Sequence, residues 1–207
     1  MIGIIDYGMG NLFSVSKALD RLKVEYFTSE KKEELSKADS LILPGVGSFK
    51  DAMERLNATG LAEMVKQFVQ SGKPLLGICL GMQLLFEQSE ENGKTKGLGI
   101  LPGEVIRFSG KGYKVPHMGW NQLSFQKKSP ILSQINEDYV YFVHSYFVST
   151  DAKDVVIASC QYDVEVPAIV GRNNVYGMQF HPEKSGKLGM ELLRNFTEFT
   201  KERMTVQ

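Results

Sequence analysis

Between Pro74 and Gln83 the chain reads Leu75-Leu76-Gly77-Ile78-Cys79-Leu80-Gly81-Met82-Gln83, an apolar run that breaks at a cysteine with a glycine two residues to either side. The run predicts a buried strand over Pro74 to Ile78, and a helix is expected from near Leu80. Small residues at 77 and 81 leave room for a tight, strained reversal between the two, so the pattern predicts a nucleophile elbow with Cys79 at its apex. The start of a helix carries a partial positive charge that favours thiolate there. The N–H of Leu80 would point at an oxyanion formed on a bound substrate. A buried cysteine that merely ends a strand is the plain alternative, but a buried strand gains nothing from two glycines. Cys160, in Val155-Val156-Ile157-Ala158-Ser159-Cys160, lacks such a setting and is expected in the core.

The residues before the elbow alternate short apolar runs with helical periodicity. Gly3 to Ile5, Val24 to Phe27 and Ser40 to Leu43 read as strands. Asn11 is placed to cap a helix carrying Leu12, Val15, Leu19 and Leu22 on one face, and Ser48 with Asp51 has the form of a capping box. Another helix is expected over Leu61 to Val69, ending at Gly72. That βαβ alternation predicts parallel strands covered by helices. Beyond about residue 97 the pattern becomes strand-rich: Val105 to Phe108, Lys114 to Val115, Asn121 to Phe125, Tyr139 to Ser149, Val155 to Tyr162, Pro167 to Gly171 and Val175 to Phe180, with a turn at Arg172-Asn173-Asn174. A last helix is expected over Leu188 to Lys201, with Leu192, Leu193, Phe196 and Phe199 inward. The expected fold is α/β: three-layer and flavodoxin-like, a largely parallel central sheet with antiparallel hairpins of the second half on the same sheet. No linker divides the chain, so residues 1–207 are expected to form one domain. In such sheets ligands bind beyond the carboxyl ends of the strands, which directs attention to the loops after Ile5, Leu43 and Ile78.

Lys plus Arg and Asp plus Glu each number 24, so the formal charge is zero. That argues against nucleic-acid binding and against a polybasic membrane anchor. The sequence also carries no apolar run long enough for a membrane span and no secretory signal at its start. Two cysteines in unlike settings make no disulfide framework, and a cytoplasmic location is expected. No metal site is expected.

A thiol nucleophile needs a base, and the base a partner. Gln179-Phe180-His181-Pro182-Glu183 ends a strand, and Pro182 biases His181 toward extended backbone, where side chains two apart share a direction. His181 and Glu183 are therefore the candidate base and its orienting acid. His117 and His144 compete for the base role, though His144 lies in an aromatic run that suits packing and His117 has no acid nearby in sequence. Pro44-Gly45-Val46-Gly47-Ser48 runs from a strand into a helix and exposes backbone N–H groups to an anion or oxyanion. It lacks a P-loop lysine. Gly8-x-Gly10 invites a dinucleotide reading, with Glu30 as the distant acid, but the third glycine position is Phe13. No cofactor is expected.

Taken together, Gly77-Ile78-Cys79-Leu80-Gly81-Met82-Gln83, His181-Pro182-Glu183 and Pro44-Gly45-Val46-Gly47 resemble, in order and spacing, the motifs of the class I (triad) glutamine amidotransferases. The resemblance covers nearly the whole chain. Asp6-Tyr7-Gly8-Met9-Gly10-Asn11, Pro116-His117-Met118-Gly119-Trp120-Asn121, Phe142-Val143-His144-Ser145-Tyr146 and Lys184-Ser185-Gly186 are similar to those members that feed ammonia to a separate (β/α)₈-barrel cyclase. The resemblance implies that Cys79 attacks L-glutamine, with His181 as base and Glu183 orienting it. It implies oxyanion donors on Val46, Gly47 and Leu80, and glutamine binding by Gln83, Ser145 and Tyr146. Asn11, Trp120 and Lys184 match positions at or near the cyclase interface of a heterodimer. The chain closes soon after its expected last helix, so the cyclase is expected on a separate polypeptide. Other readings stay open: an anthranilate-type or other triad amidotransferase with a different partner, a stand-alone cysteine hydrolase, or a flavodoxin-like binding module with an inert Cys79.

Overall fold

The computed structural model describes residues 1–205. Its first half runs β1 (Ile2–Ile5), α1 (Leu12–Leu22), β2 (Tyr26–Ser29), α2 (Lys32–Leu35), β3 (Ser40–Leu43), α3 (Phe49–Ala58), α4 (Leu61–Gln70), β4 (Leu75–Ile78) and α5 (Leu80–Gln83). Next come β5 (Gln88–Ser89), β6 (Thr95–Lys96), β7 (Glu104–Arg107), β8 (His117–Gln122), β9 (Ser124–Phe125), β10 (Tyr139–His144) and β11 (Tyr146–Ser149). The chain finishes with β12 (Val156–Tyr162), β13 (Val164–Arg172), β14 (Val175–Met178) and α6 (Gly186–Thr205).

The central sheet has the order β2-β1-β3-β4-β14-β13-β12-β9. Strands β2, β1, β3, β4 and β14 are parallel, and β13, β12 and β9 extend the sheet antiparallel. Alternation along the strands fills both faces. Ile4, Ile42 and Leu76 pack with Val15 and Leu19 of α1 and Leu192 and Phe196 of α6. Ile5, Leu41, Leu43 and Leu75 pack with Leu56 of α3 and Val65 and Phe68 of α4. The result is the three-layer α/β architecture expected.

Local chemistry sets the boundaries. Asn11 caps α1, its side chain accepting from the Ser14 N–H. Lys23 ends that helix in the left-handed region, and the Val24 N–H returns to the Leu19 carbonyl. Val24 thus serves the helix terminus, which is why β2 begins at Tyr26 rather than Val24. Ser48 caps α3 by accepting from the Asp51 N–H.

The second half departs from expectation in three ways. Only β9, β12 and β13 add antiparallel strands to the central sheet; β7 and β11 join β5 and β6 in a four-stranded sheet, and β8 pairs with β10 in a ribbon of its own. The expected strand Tyr139–Ser149 is two strands in two sheets, broken at Ser145, where the His144 ring turns onto the Tyr146 carbonyl at 2.8 Å. Lys114 and Val115 are irregular, following Gly110 and Gly112 at positive φ and preceding Pro116, which has no N–H for a ladder; the strand begins at His117.

Candidate active site

The register between β4 and β14 creates the site. Ile78 lies opposite Met178, both strands run the same way, and the Cys79 N–H donates to the Met178 carbonyl at 2.7 Å. The chain leaving β4 and the chain leaving β14 therefore emerge side by side, and residues distant in sequence meet at the carboxyl edge of the sheet.

Cys79 sits at φ +55°, ψ −114°, a conformation that costs a non-glycine residue about 1–3 kcal/mol. The two glycines are required by close approach. A Cβ on Gly81 would lie 1.8 Å from the Leu43 carbonyl oxygen, and one on Gly77 would lie 2.6 Å from the Gly81 oxygen. The elbow is as expected, but its helix is a single turn, so the dipole behind Cys79 is shorter than the sequence pattern implied. As the first residue of that turn, Leu80 has an N–H without a helical acceptor.

His181 Nδ1 lies 2.8 Å from Glu183 Oε1, with side-chain exposures of 4% and 1%. His181 is extended, as Pro182 dictates, whereas Pro182–Lys184 forms a 3₁₀ turn that brings the carboxylate back under the ring. The pair thus forms through a turn, not through a straight strand end. Burial alone would lower the imidazole's pKa. The Cys79 sulfur and the Glu183 carboxylate beside it outweigh that and raise it to about 10.

Facing these groups is a cavity of about 350 Å³ whose wall includes Cys79, Leu80, His181, Val46 and Gly47. Gln83, Ser145, Tyr146, His144 and Glu91 complete much of the remainder. The structure thus brings together the expected nucleophile, base, loop and head-group residues around one space, with Glu183 behind His181. Gln83 is buried, and its Nε2 donates to the Tyr146 carbonyl at 2.9 Å and to Gln179 Oε1 at 3.0 Å. Two wider clefts, of about 710 and 630 Å³, run past Lys127 and Pro130 and past Phe147 and Glu165; neither reaches Cys79 or His181.

Asn11, Trp120 and Lys184 do not line the cavity. Trp120 is exposed on β8, and its ring lies 4.0 Å from where a Cβ on Gly186 would stand, just past Lys184. The helix capped by Asn11 packs against the Pro182–Lys184 turn. Exposed Phe13 on α1 and Met118 on β8 add apolar surface to these elements.

His117 and His144 do not compete with His181. Burial lowers them to about 4 and about 3, so both are neutral near pH 7. Cys160 is buried, and burial raises its thiol to about 12. Two residues at the site had no role read from the sequence: Tyr7, which stood only as part of the Asp6–Asn11 motif, and Glu91. The Tyr7 hydroxyl donates to the Pro44 carbonyl at 2.9 Å, and burial, then the charge at Cys79, raises its pKa. Glu91 holds the N–H of Phe49 at 2.8 Å from a loop with no motif to single it out. Among the described residues no three His, Cys, Asp or Glu side chains cluster to hold a metal, and no helix is long and apolar enough to cross a membrane.

Comparison with known proteins bears on the family and the fold. The family model for Glutamine amidotransferase class-I matches residues 3–199. The chain is 64% identical over 201 residues to the imidazole glycerol phosphate synthase subunit HisH of a Geobacillus species, covering 95% of each. It is 56% identical to the HisH subunit of Bacillus subtilis over 207 residues, covering 98% of each. A crystal structure of a glutamine amidotransferase superposes with a TM-score of 0.77 at 24% identity, covering 97% of this chain and 98% of the other, which speaks to the fold.

Proposed function

Because the chain belongs to the class-I glutamine amidotransferases, we propose that it is the glutaminase subunit of an imidazole glycerol phosphate synthase, hydrolysing L-glutamine and passing the ammonia to a separate cyclase. The observation that carries this is the meeting of Cys79 with the His181–Glu183 pair over the elbow, beside the Pro44–Gly47 loop.

In this reading the Cys79 sulfur attacks the glutamine γ-carboxamide carbon. The proton given up by the thiol rests on His181, whose surroundings favour its charged form. The tetrahedral oxyanion is held by the N–H groups of Leu80 and of the Val46–Gly47 segment. Losing one such donor typically lowers the rate about 100-fold or more. Collapse breaks the C–N bond, the His181 proton goes to the leaving nitrogen, and ammonia departs. Water, deprotonated by His181, then attacks the thioester and releases glutamate and free Cys79. Glu183 keeps the imidazole aimed throughout. Gln83, Ser145 and Tyr146 receive the amino-acid head group. No cofactor enters these steps.

Ammonia released into water near neutral pH becomes ammonium, a poor nucleophile, so the product needs a sheltered exit. The partner is a (β/α)₈-barrel cyclase forming a heterodimer, docked on the rim that carries Asn11, Trp120 and Lys184, where exposed Phe13, Met118 and Trp120 offer apolar contact. The barrel uses ammonia to make imidazole glycerol phosphate and aminoimidazole carboxamide ribonucleotide. The Pro44–Gly47 loop provides gating: Gly45 and Gly47 permit a peptide rotation that withholds an oxyanion donor until the barrel docks. Residues 1–207 act as one glutaminase domain in the cytoplasm, where two unpaired cysteines suit a reducing medium.

Mixing the chain with a barrel cyclase, its ribonucleotide substrate and glutamine tests the assignment. The expected result is a stable one-to-one complex releasing one glutamate per imidazole glycerol phosphate. Full glutamine turnover by the chain alone, or activation only by an anthranilate-type partner, would overturn it.

A further inference from the structure

The Tyr146 carbonyl, at the bend between β10 and β11, receives His144 Nδ1 at 2.8 Å as well as Gln83 Nε2. A carbonyl has no proton to give, so His144 Nδ1 must carry one. The ring is neutral: burial lowers its pKa to about 3, opposed by the Tyr146 carbonyl and aided by His117 and His181. Its Nε2 is therefore a bare acceptor. His117 Nδ1, 2.9 Å away, must donate to it. That leaves His117 Nε2 as an acceptor, and Asn121 Nδ2 stands 3.3 Å from it while also donating to the Gln161 carbonyl at 3.0 Å. Asn121 Oδ1 accepts from the Gln122 N–H, which fixes the amide's orientation. Both rings are buried, and His117 is stacked between Phe142 and Tyr162 at centroid distances of 4.6 and 3.9 Å. Titratable groups around the pair are His181 beside His144, Cys79 and Glu91 on the cavity that His144 lines, and Tyr162 over His117.

We infer that His117 and His144 form a hydrogen-bond chain of fixed polarity, running from Asn121 to the Tyr146 carbonyl, that holds the Ser145–Tyr146 bend and Gln83 in the shape that receives the substrate head group. This rests on the glutaminase reading above. Both histidines are positioning residues: every ring nitrogen is engaged, and none is left for the reacting atoms. Reversing the polarity would set a lone pair of His144 against a carbonyl lone pair, so only one tautomer of each ring fits.

Long-range ¹H–¹⁵N correlation on histidine-labelled protein tests the polarity directly. Between about pH 5.5 and 8.5 both rings are expected as neutral Nδ1–H tautomers, consistent with pKa values of about 4 and about 3. Asn121→Asp, which places an acceptor against His117 Nε2, is expected to bring a proton onto that nitrogen. For function, His144→Phe is expected to raise KM for glutamine about tenfold, and His117→Phe about threefold, with kcat within about threefold, the scale of one lost hydrogen bond. Glutamate release is read in the complex with the cyclase, and His117→Phe carries the kinetic arm should His144→Phe not fold. An Nε2–H tautomer in either wild-type ring, titration of either within that window, or an unchanged KM in the folded variants would overturn the inference. Wild-type turnover of glutamine in the same assay separates this from failure of the glutaminase reading.

Discussion

Tyr7 and Pro44, one from the loop after β1 and one from the loop after β3, are joined by a buried hydrogen bond of 2.9 Å from the tyrosine hydroxyl to the proline carbonyl. The same hydroxyl lies 2.6 Å from where a Cβ on Gly45 would stand. Tyr7 therefore fixes the Pro44–Gly45 peptide, and any rotation of the loop is left to the peptides after Gly45. Tyr7→Phe leaves the Pro44 carbonyl without this donor. A loss of about 1–2 kcal/mol is expected in urea unfolding, together with a lower kcat for glutamine and a KM close to that of the unsubstituted protein. An unchanged kcat would show that the bond does not govern the loop.

The elbow glycines should be intolerant for steric reasons alone. Gly81→Ala would drive a methyl to 1.8 Å from the Leu43 carbonyl, which is backbone and unable to move aside. Destabilisation of at least about 3 kcal/mol is expected, measured by chemical denaturation. Gly93→Ala serves as a control: it has open space around it but also sits at φ +93°, so it should lose only about 1 kcal/mol.

Much of this site was legible in the sequence because its signals are local. The spacing of Gly77, Cys79 and Gly81 encodes a steric requirement that two adjacent elements satisfy between themselves. Pro182 fixes His181 in the same local way. What stayed hidden depends on pairing over distance. The run Tyr139–Ser149 looks like one strand, and only the His144–Tyr146 hydrogen bond and the separate partners β8 and β7 reveal two. Tyr7 stood in the Asp6–Asn11 motif, but its role did not show there because it lies in a contact with a loop far along the chain. The aromatic context of His144 indicated packing, yet its partner His117 is met only through the ribbon that pairs β8 with β10.

His181 gives the protein a pH signature. Its pKa is raised from 6.5 to about 10 in the folded state, by the Cys79 sulfur first and the Glu183 carboxylate second; a proton taken over from the Cys79 thiol leaves the count unchanged, whereas the one held by the Glu183 charge is extra to the unfolded chain. The stabilisation is complete below about pH 6.5 and disappears as pH rises through about 10. Urea unfolding should show stability falling between those limits, and Glu183→Gln, lacking the carboxylate, should flatten the fall. The same variant should lose at least about 100-fold in kcat, since the imidazole loses its orienting partner. A pH profile identical to that of the unsubstituted protein would refute the coupling.

The two cysteines should differ in reactivity. Burial raises the Cys160 thiol to about 12, leaving almost no thiolate at pH 8. Iodoacetamide at that pH should add one label, on Cys79, and mass spectrometry of the Cys79→Ala chain should find none. A label on Cys160 in the folded protein would contradict its place in the core.

The most direct test of the account is the source of nitrogen. In the complex with the barrel cyclase, Cys79→Ala should lower glutamine-dependent formation of imidazole glycerol phosphate by at least about 1000-fold. Added ammonium should still support the reaction within about twofold of the unsubstituted complex. Glutamine-dependent product that survives the substitution would show that Cys79 is not the nucleophile.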